Sequence, residues 1–158
     1  MLGVAMLLAL AAPDPSDARV LVLELEAVGV DRSLSRSVDP VVLTAAAASA
    51  NVIAQSEMKT IASVQASKAE IGCDSSSCLA ELAGAMGARF VLFGSVSKLG
   101  DTTTITVSMF DNTTAKVTRD SLAVVDLGLI PKQLPPKVRA LVASAGLRQQ
   151  PADAGAPP

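Results

Sequence analysis

The sequence predicts an α/β (α+β) fold: a mixed sheet of about five strands with helices packed on it, ending in an antiparallel three-strand meander and a C-terminal helix. Three observations carry this. Residues 19–27, RVLVLELEA, open as an unbroken apolar run, the pattern of a strand buried on both faces in mid-sheet. The alanine-rich residues that follow repeat their apolar positions at helical spacing. Residues 89–125 then hold three strand-like segments joined by short turn sequences, which read as a meander. Helical and strand patterns mix without regular alternation, so a mixed sheet with helices laid on it satisfies the apolar faces.

In chain order, the first strand gives way to a polar loop at residues 29–37. Asp39-Pro40 then marks a helix start, because Asp caps and Pro suits the first helical position. That helix is expected to run through Val41, Val42, Ala45, Ala46, Val52 and Ile53. Residues 58–63, MKTIAS, are expected to form a short second strand, and residues 64–71 a short helix. Leu79, Leu82, Ala83 and Met86 stripe the next helix, and Gly87 ends it by supplying a left-handed stop. Residues 89–98 form a strand and Leu99-Gly100-Asp101 a turn. In residues 102–110 Ile105, Val107 and Met109 alternate with Thr104, Thr106 and Ser108, predicting one buried and one wet face. Asp111-Asn112-Thr113-Thr114 turns the chain into the last strand, residues 115–125. The last helix lies within residues 131–147, starting at Pro135-Pro136 and stopped at Gly146. The remaining tail is too small and proline-rich to fold.

Composition excludes many functions. Among 158 residues there are three Phe and no Trp, Tyr or His. Ser-His-Asp and Cys-His catalysis are therefore impossible within the chain. Two cysteines without histidine cannot close a structural zinc site, so no metal or cofactor is expected. Thirteen basic and fifteen acidic residues give a net charge of −2, no footprint for nucleic acid. No catalytic residues are expected, and the chain reads as a non-enzymatic protein.

Residues 2–12, LGVAMLLALAA, are an uncharged apolar run too short for a membrane span, which needs about 20 residues. Their length suits a secretory signal; cleavage after Ala18 matches the small-x-small rule, and cleavage after Ala12 is the alternative. The expected organisation is a signal at residues 1–18, one module at 19–147 and a disordered tail at 148–158. The mature chain is expected to be periplasmic or secreted, with no stable membrane span. Cys73 and Cys78 fit that compartment, where nearby cysteines usually pair, and a structural disulfide is expected; two free thiols are the alternative.

Residues 72–101 carry a distinctive block: Gly72-Cys73-Asp74, Ser77-Cys78-Leu79-Ala80-Glu81, Gly87-Ala88, Gly94-Ser95-Val96 and Leu99-Gly100-Asp101. It resembles a block in secreted proteins of myxobacteria and related bacteria. The domain resembles the α/β module shared by the curli-secretion channel protein (CsgG-like) and the N-terminal domain of TolB. The resemblance implies an envelope-associated, non-enzymatic module.

The remaining candidates are weighed against plainer readings. Glu24 and Glu26, two apart on a strand, are expected on one face, as solvated carboxylates rather than an acid/base pair. Asp74 with Ser75, Ser76 and Ser77 is expected as a helix cap and loop rather than a cation site. Gly94 suits close packing or a bulge. Lys132, Lys137, Arg139 and Arg148 make the C-terminal region basic, as a solvated helix face or a surface for an anionic partner. The function these readings favour is a periplasmic interaction or scaffold module that contacts an envelope protein or itself. The alternative is a small-ligand-binding protein using the threonine-rich face or a cleft beside residues 73–78.

Overall fold

The computed structural model describes residues 18–61, 69 and 72–147. The expected signal, most of the helix expected at 64–71, Arg148 and the tail lie outside them. The chain forms β1 (Arg19–Val22), β2 (Glu26–Val28), α1 (Arg32–Ala47), β3 (Asn51–Ala54), α2 (Gln55–Ile61), α3 (Ser76–Met86), β4 (Phe90–Leu99), β5 (Thr102–Asp111), β6 (Lys116–Val124), a 3-10 turn (Leu127–Leu129) and α4 (Ile130–Ser144). The sheet has six strands in the order β3-β1-β4-β5-β6, with β2 also paired to β4. β1 is parallel to β3 and β4, while β4, β5 and β6 form the antiparallel meander.

Topology dictates where the helices go. From β1 the chain crosses through α1 to β3 on one side, and from β3 through α2 and α3 to β4 on the other. Crossovers of one hand in opposite directions place their helices on opposite faces. One core accordingly joins Val20, Val22, Phe90 and Val107 to Val42 of α1 and Leu134 and Val138 of α4. The second core joins Leu21, Val91 and Phe110 to Met58 of α2 and Leu79 and Leu82 of α3.

The first strand is not continuous. Val22 faces Leu92 and Glu26 faces Ser95, so three residues, 23–25, oppose two, 93–94. The extra residue is a β-bulge, and it reverses which face each following side chain takes. Leu23 therefore enters the α2/α3 core while Leu25 enters the α1/α4 core, although both are odd-numbered. Two bulged backbone donors are satisfied by side chains. Asp39 Oδ1 on α1 accepts from Leu25 N at 2.7 Å, and Gln55 Oε1 accepts from Glu24 N at 2.8 Å. Gly94 lies across from the bulge. A Cβ there would drive into the Thr106 carbonyl and meet Leu25 Cδ2 at 3.0 Å, so the position admits only glycine without rearrangement.

Several expectations are corrected. α1 starts at Arg32, capped by Asp31 Oδ1 accepting from Ser33 N at 2.7 Å, and Pro40 lies inside the helix. Burial of Ser35 and Val38 secures the two turns before Pro40, and Asp39 holds the bulge rather than capping. α1 ends at Ala47; Val52 and Ile53 belong to β3, and residues 55–61 are helical rather than a strand. α4 starts at Ile130, with Pro135 and Pro136 inside it. Asp126 Oδ1 accepts from Gly128 N at 2.8 Å to start the preceding turn, and buried Ile130 and Leu134 anchor the first turns. Gly87 and Gly146 end α3 and α4 with left-handed φ values of 61° and 76°, as their positions suggested.

Candidate interaction surface

The α1/α4 face of the sheet is covered over most of its width, from β1 to β6, but the α2/α3 face is not. α2 and α3 shield β3, β1 and the start of β4. Beyond them two rows of side chains cross open sheet. One is Glu26, Ser95, Thr106 and Ser121; the other is Val28, Ser97, Thr104 and Ala123. Leu99, at 87% exposure, and Val125, at 70%, lie at the rim of this area, and Val28 is 49% exposed. Apolar side chains gathered around a hydroxyl-rich surface mark a contact surface more strongly than scattered ones do.

The wet face expected of β5 is narrower than the alternation implied. Thr104 and Thr106 are half-buried, but Ser108 is buried, its Oγ accepting from Arg119 Nε at 3.0 Å. Phe110, on the same side, fills the α2/α3 core. Coverage by the helices, rather than polarity along the strand, sets where water begins.

Two grooves lie elsewhere. The first, about 160 Å³, runs beside the bulge between Val22, Glu24, Asp39, Leu43 and Gln55. Here burial pushes the Asp39 carboxyl up to about 6; the hydrogen bond from Leu25 and the charge of Arg36 oppose the rise, and Glu24 adds to it. Glu24 lines this groove on the α1 side, whereas Glu26 lies on the open face. The bulge thus separates the two carboxylates that the spacing placed on one face.

The second groove, about 190 Å³, lies between Phe90, Met109, Asp111, Lys116 and Ser144. Arg89 stacks over Phe90 at 4.9 Å and pairs with Asp111 at 3.3 Å. Desolvation opposes ionisation of Asp111, but hydrogen bonds from Arg89 and Thr113 outweigh it and hold its carboxyl below the usual carboxylate value. Neither groove adjoins the 73–78 loop or the threonine-rich face where a small ligand was expected.

Cys73 and Cys78 are disulfide-bonded, with Cα atoms 5.7 Å apart. The bond spans the start of α3, where Ser75 Oγ accepts from Cys78 N at 3.3 Å. Cys73 packs on the α2/α3 core, so the staple fixes the helix that bounds the open area. Of the basic residues near the C-terminus, Lys137 pairs with Asp120 at 3.4 Å, while Lys132 and Arg139 are exposed. No group of acidic or cysteine side chains able to hold a metal occurs among the described residues, and no described helix is long and apolar enough to cross a membrane. The bulge and the open rim were the features sequence reasoning missed. The signal for the first was Gly94; for the second it was Leu99 beside a turn.

No protein-family model matches the chain, and no curated protein does. Solved structures do. The LpoB C-terminal domain from Escherichia coli matches with a TM-score of 0.58 and 13% identity, over 73% of this chain and 88% of that one. Lipoprotein GNA1162 from Neisseria meningitidis matches with a TM-score of 0.51 and 16% identity, over 82% and 96%. TolB from Acinetobacter baumannii matches with a TM-score of 0.50 and 16% identity, over 84% of this chain and 29% of that one. At such identities the likeness is one of fold, and the chain shares the α/β architecture of the LpoB C-terminal domain, of GNA1162 and of the matched part of TolB.

Proposed function

We propose that this chain is a non-enzymatic interaction module of the cell envelope, acting in the periplasm or after secretion. Residues 19–147 form the working module, following a signal at 1–18 and preceding a tail at 148–158. The observation that carries the reading is the open sheet area rimmed by Val28, Leu99 and Val125. Apolar side chains left in water beside a covered core are most simply explained by a partner that removes them from it. The fold supports the location: one structural neighbour is described as a lipoprotein, and TolB was one of the two likenesses read from residues 72–101. The likeness to the curli-secretion channel rests on that sequence block alone. The Cys73–Cys78 disulfide fits an oxidising compartment.

Crosslinking in intact cells followed by fractionation tests this. The chain should enter the envelope or extracellular fraction and give defined crosslinked species. Leu99→Asp and Val125→Asp should remove those species while leaving the fold intact. An unchanged crosslinking pattern in both variants, or a chain retained in the cytoplasm, would overturn the reading.

A further inference from the structure

We propose that the outer edge of β6 docks a second copy of this chain, the two β6 strands pairing antiparallel about Ser121 so that two sheets become one. The inference goes beyond the contact role proposed above: it concerns the edge beside the open face and shares only Val125 with its rim.

Among the described residues no strand pairs with the outer edge of β6, and the orientation of that edge can be assigned. The Thr106 carbonyl points toward β4, since it is the atom a Cβ on Gly94 would strike. In an antiparallel ladder a residue bonded toward one neighbour is not bonded toward the other. Thr106 faces Ser121, so Ser121 directs its own N–H and C=O away from β5. Consistent with this, Ser121 N donates to the Asp120 side chain at 2.8 Å instead of to the ladder. By alternation Val117, Arg119, Ser121 and Ala123 all present backbone groups outward. The opposite edge, β3, is only four residues long, whereas β6 has nine. Long, unpaired edges are the ones that accept another strand.

Side chains select the register. Centring the pair on Arg119 sets arginine against arginine, and centring it on Asp120 sets aspartate against aspartate. Like charges directly opposite are unfavourable. Centring on Ser121 opposes Ser121 to itself, Arg119 to Ala123, Asp120 to Leu122 and Thr118 to Val124. Carried one residue past β6, it also opposes Val117 to Val125, twice by symmetry. These two valines are exposed in the single chain, at 41% and 70%, and the pairing covers both. Asp120 Oδ1 accepts from both Ser121 N and Lys137 Nζ, so the central donor is capped until the partner's Ser121 carbonyl replaces it.

Sedimentation equilibrium of the purified full chain, from micromolar to near-millimolar concentration, tests this. A monomer–dimer equilibrium is expected. Ser121→Pro removes an outward donor that the β5–β6 ladder does not use, twice per dimer, and should weaken association about tenfold or more. Val117→Glu should weaken it too, and the double variant Val117→Glu, Val125→Lys should restore it, because positions 117 and 125 face each other only in this register. The double variant decides the matter if Ser121→Pro does not fold. A monomer at every concentration overturns the inference, as does a dimer indifferent to both Ser121→Pro and Val117→Glu, or a double variant no tighter than Val117→Glu alone. Those results leave the contact role standing; it falls instead on unchanged crosslinks in the Leu99→Asp and Val125→Asp variants.

Discussion

The two faces of one sheet are treated differently. On the α1/α4 face, Ile105, Val107 and Met109 of β5 lie beneath Leu134, Val138 and Val142 of α4, all buried. On the other face the same strand offers Thr104 and Thr106 to partly open surface, and only its far end, at Phe110, reaches a helix-covered core. An apolar row costs free energy unless something covers it, about 25 cal/mol per Å² left in water. A hydroxyl row has no such requirement, because water satisfies it. The meander can therefore hold its fold from one side and leave the other for contacts.

Perturbations can break or sharpen that contrast. The largest effect is expected from Phe110→Ala, which empties the core where the two halves of the second face meet; about 3–5 kcal/mol should be lost on urea unfolding. A loss below that of an exposed substitution would mean Phe110 packs less than its burial indicates. Gly94→Ala should cost about 1–3 kcal/mol by pressing a methyl group on Thr106 and Leu25; no loss would show that the bulge yields easily.

Asp39→Asn separates charge from hydrogen bonding at the bulge. The Asp39 carboxyl is raised from its ordinary 3.8 to about 6 in the folded chain. Between those values the unfolded chain releases the proton and the folded chain keeps it, so stability falls as pH rises through that window. Asn keeps an acceptor for Leu25 N–H and has no charge to bury. Unfolding midpoints taken across pH should lose this decline in the variant, which should be no less stable than the parent at neutral pH. An unaltered decline would assign it to another group. The smallest effect belongs to the open rim, where Leu99→Ser should change stability by no more than about 0.5 kcal/mol. A larger loss would mean the rim serves the fold rather than a partner.

Legibility in the sequence followed the same division. The meander was readable because alternation, Gly100 and the 111–114 turn are local signals that tertiary packing did not override. Gly87 and Gly146 were readable for the same reason, each standing where a helix needs a left-handed residue. The region before it was not. Alanine-rich α1 runs into the apolar residues of β3 after only Ala48, Ser49 and Ala50, so period alone could not find the boundary. Pro40 inside α1, and Pro135 and Pro136 inside α4, read as starts because local propensity favours that; burial of Val38 and Leu134 outweighs it. The bulge was hidden for another reason. Leu-Glu-Leu-Glu alternates without fault, and the side chains that hold its irregular backbone, Asp39 and Gln55, lie 14 and 31 residues away. The open rim is a property of where α2 and α3 stop, which no single segment encodes.

The bulge at residues 23–25 acts on side-chain direction as a frameshift acts on a reading frame. Glu26 through Val28 take the faces opposite to those that counting from Val22 would give, because one residue is surplus. Deleting one of residues 23–25 would match two residues to two, so Glu26 would stay opposite Ser95 on the open face and the bulge would be gone. Substitutions at exposed Glu24 leave the frame unchanged. Length here decides whether the strand is irregular, and Asp39 and Gln55 take the two backbone donors that the surplus residue leaves outside the ladder.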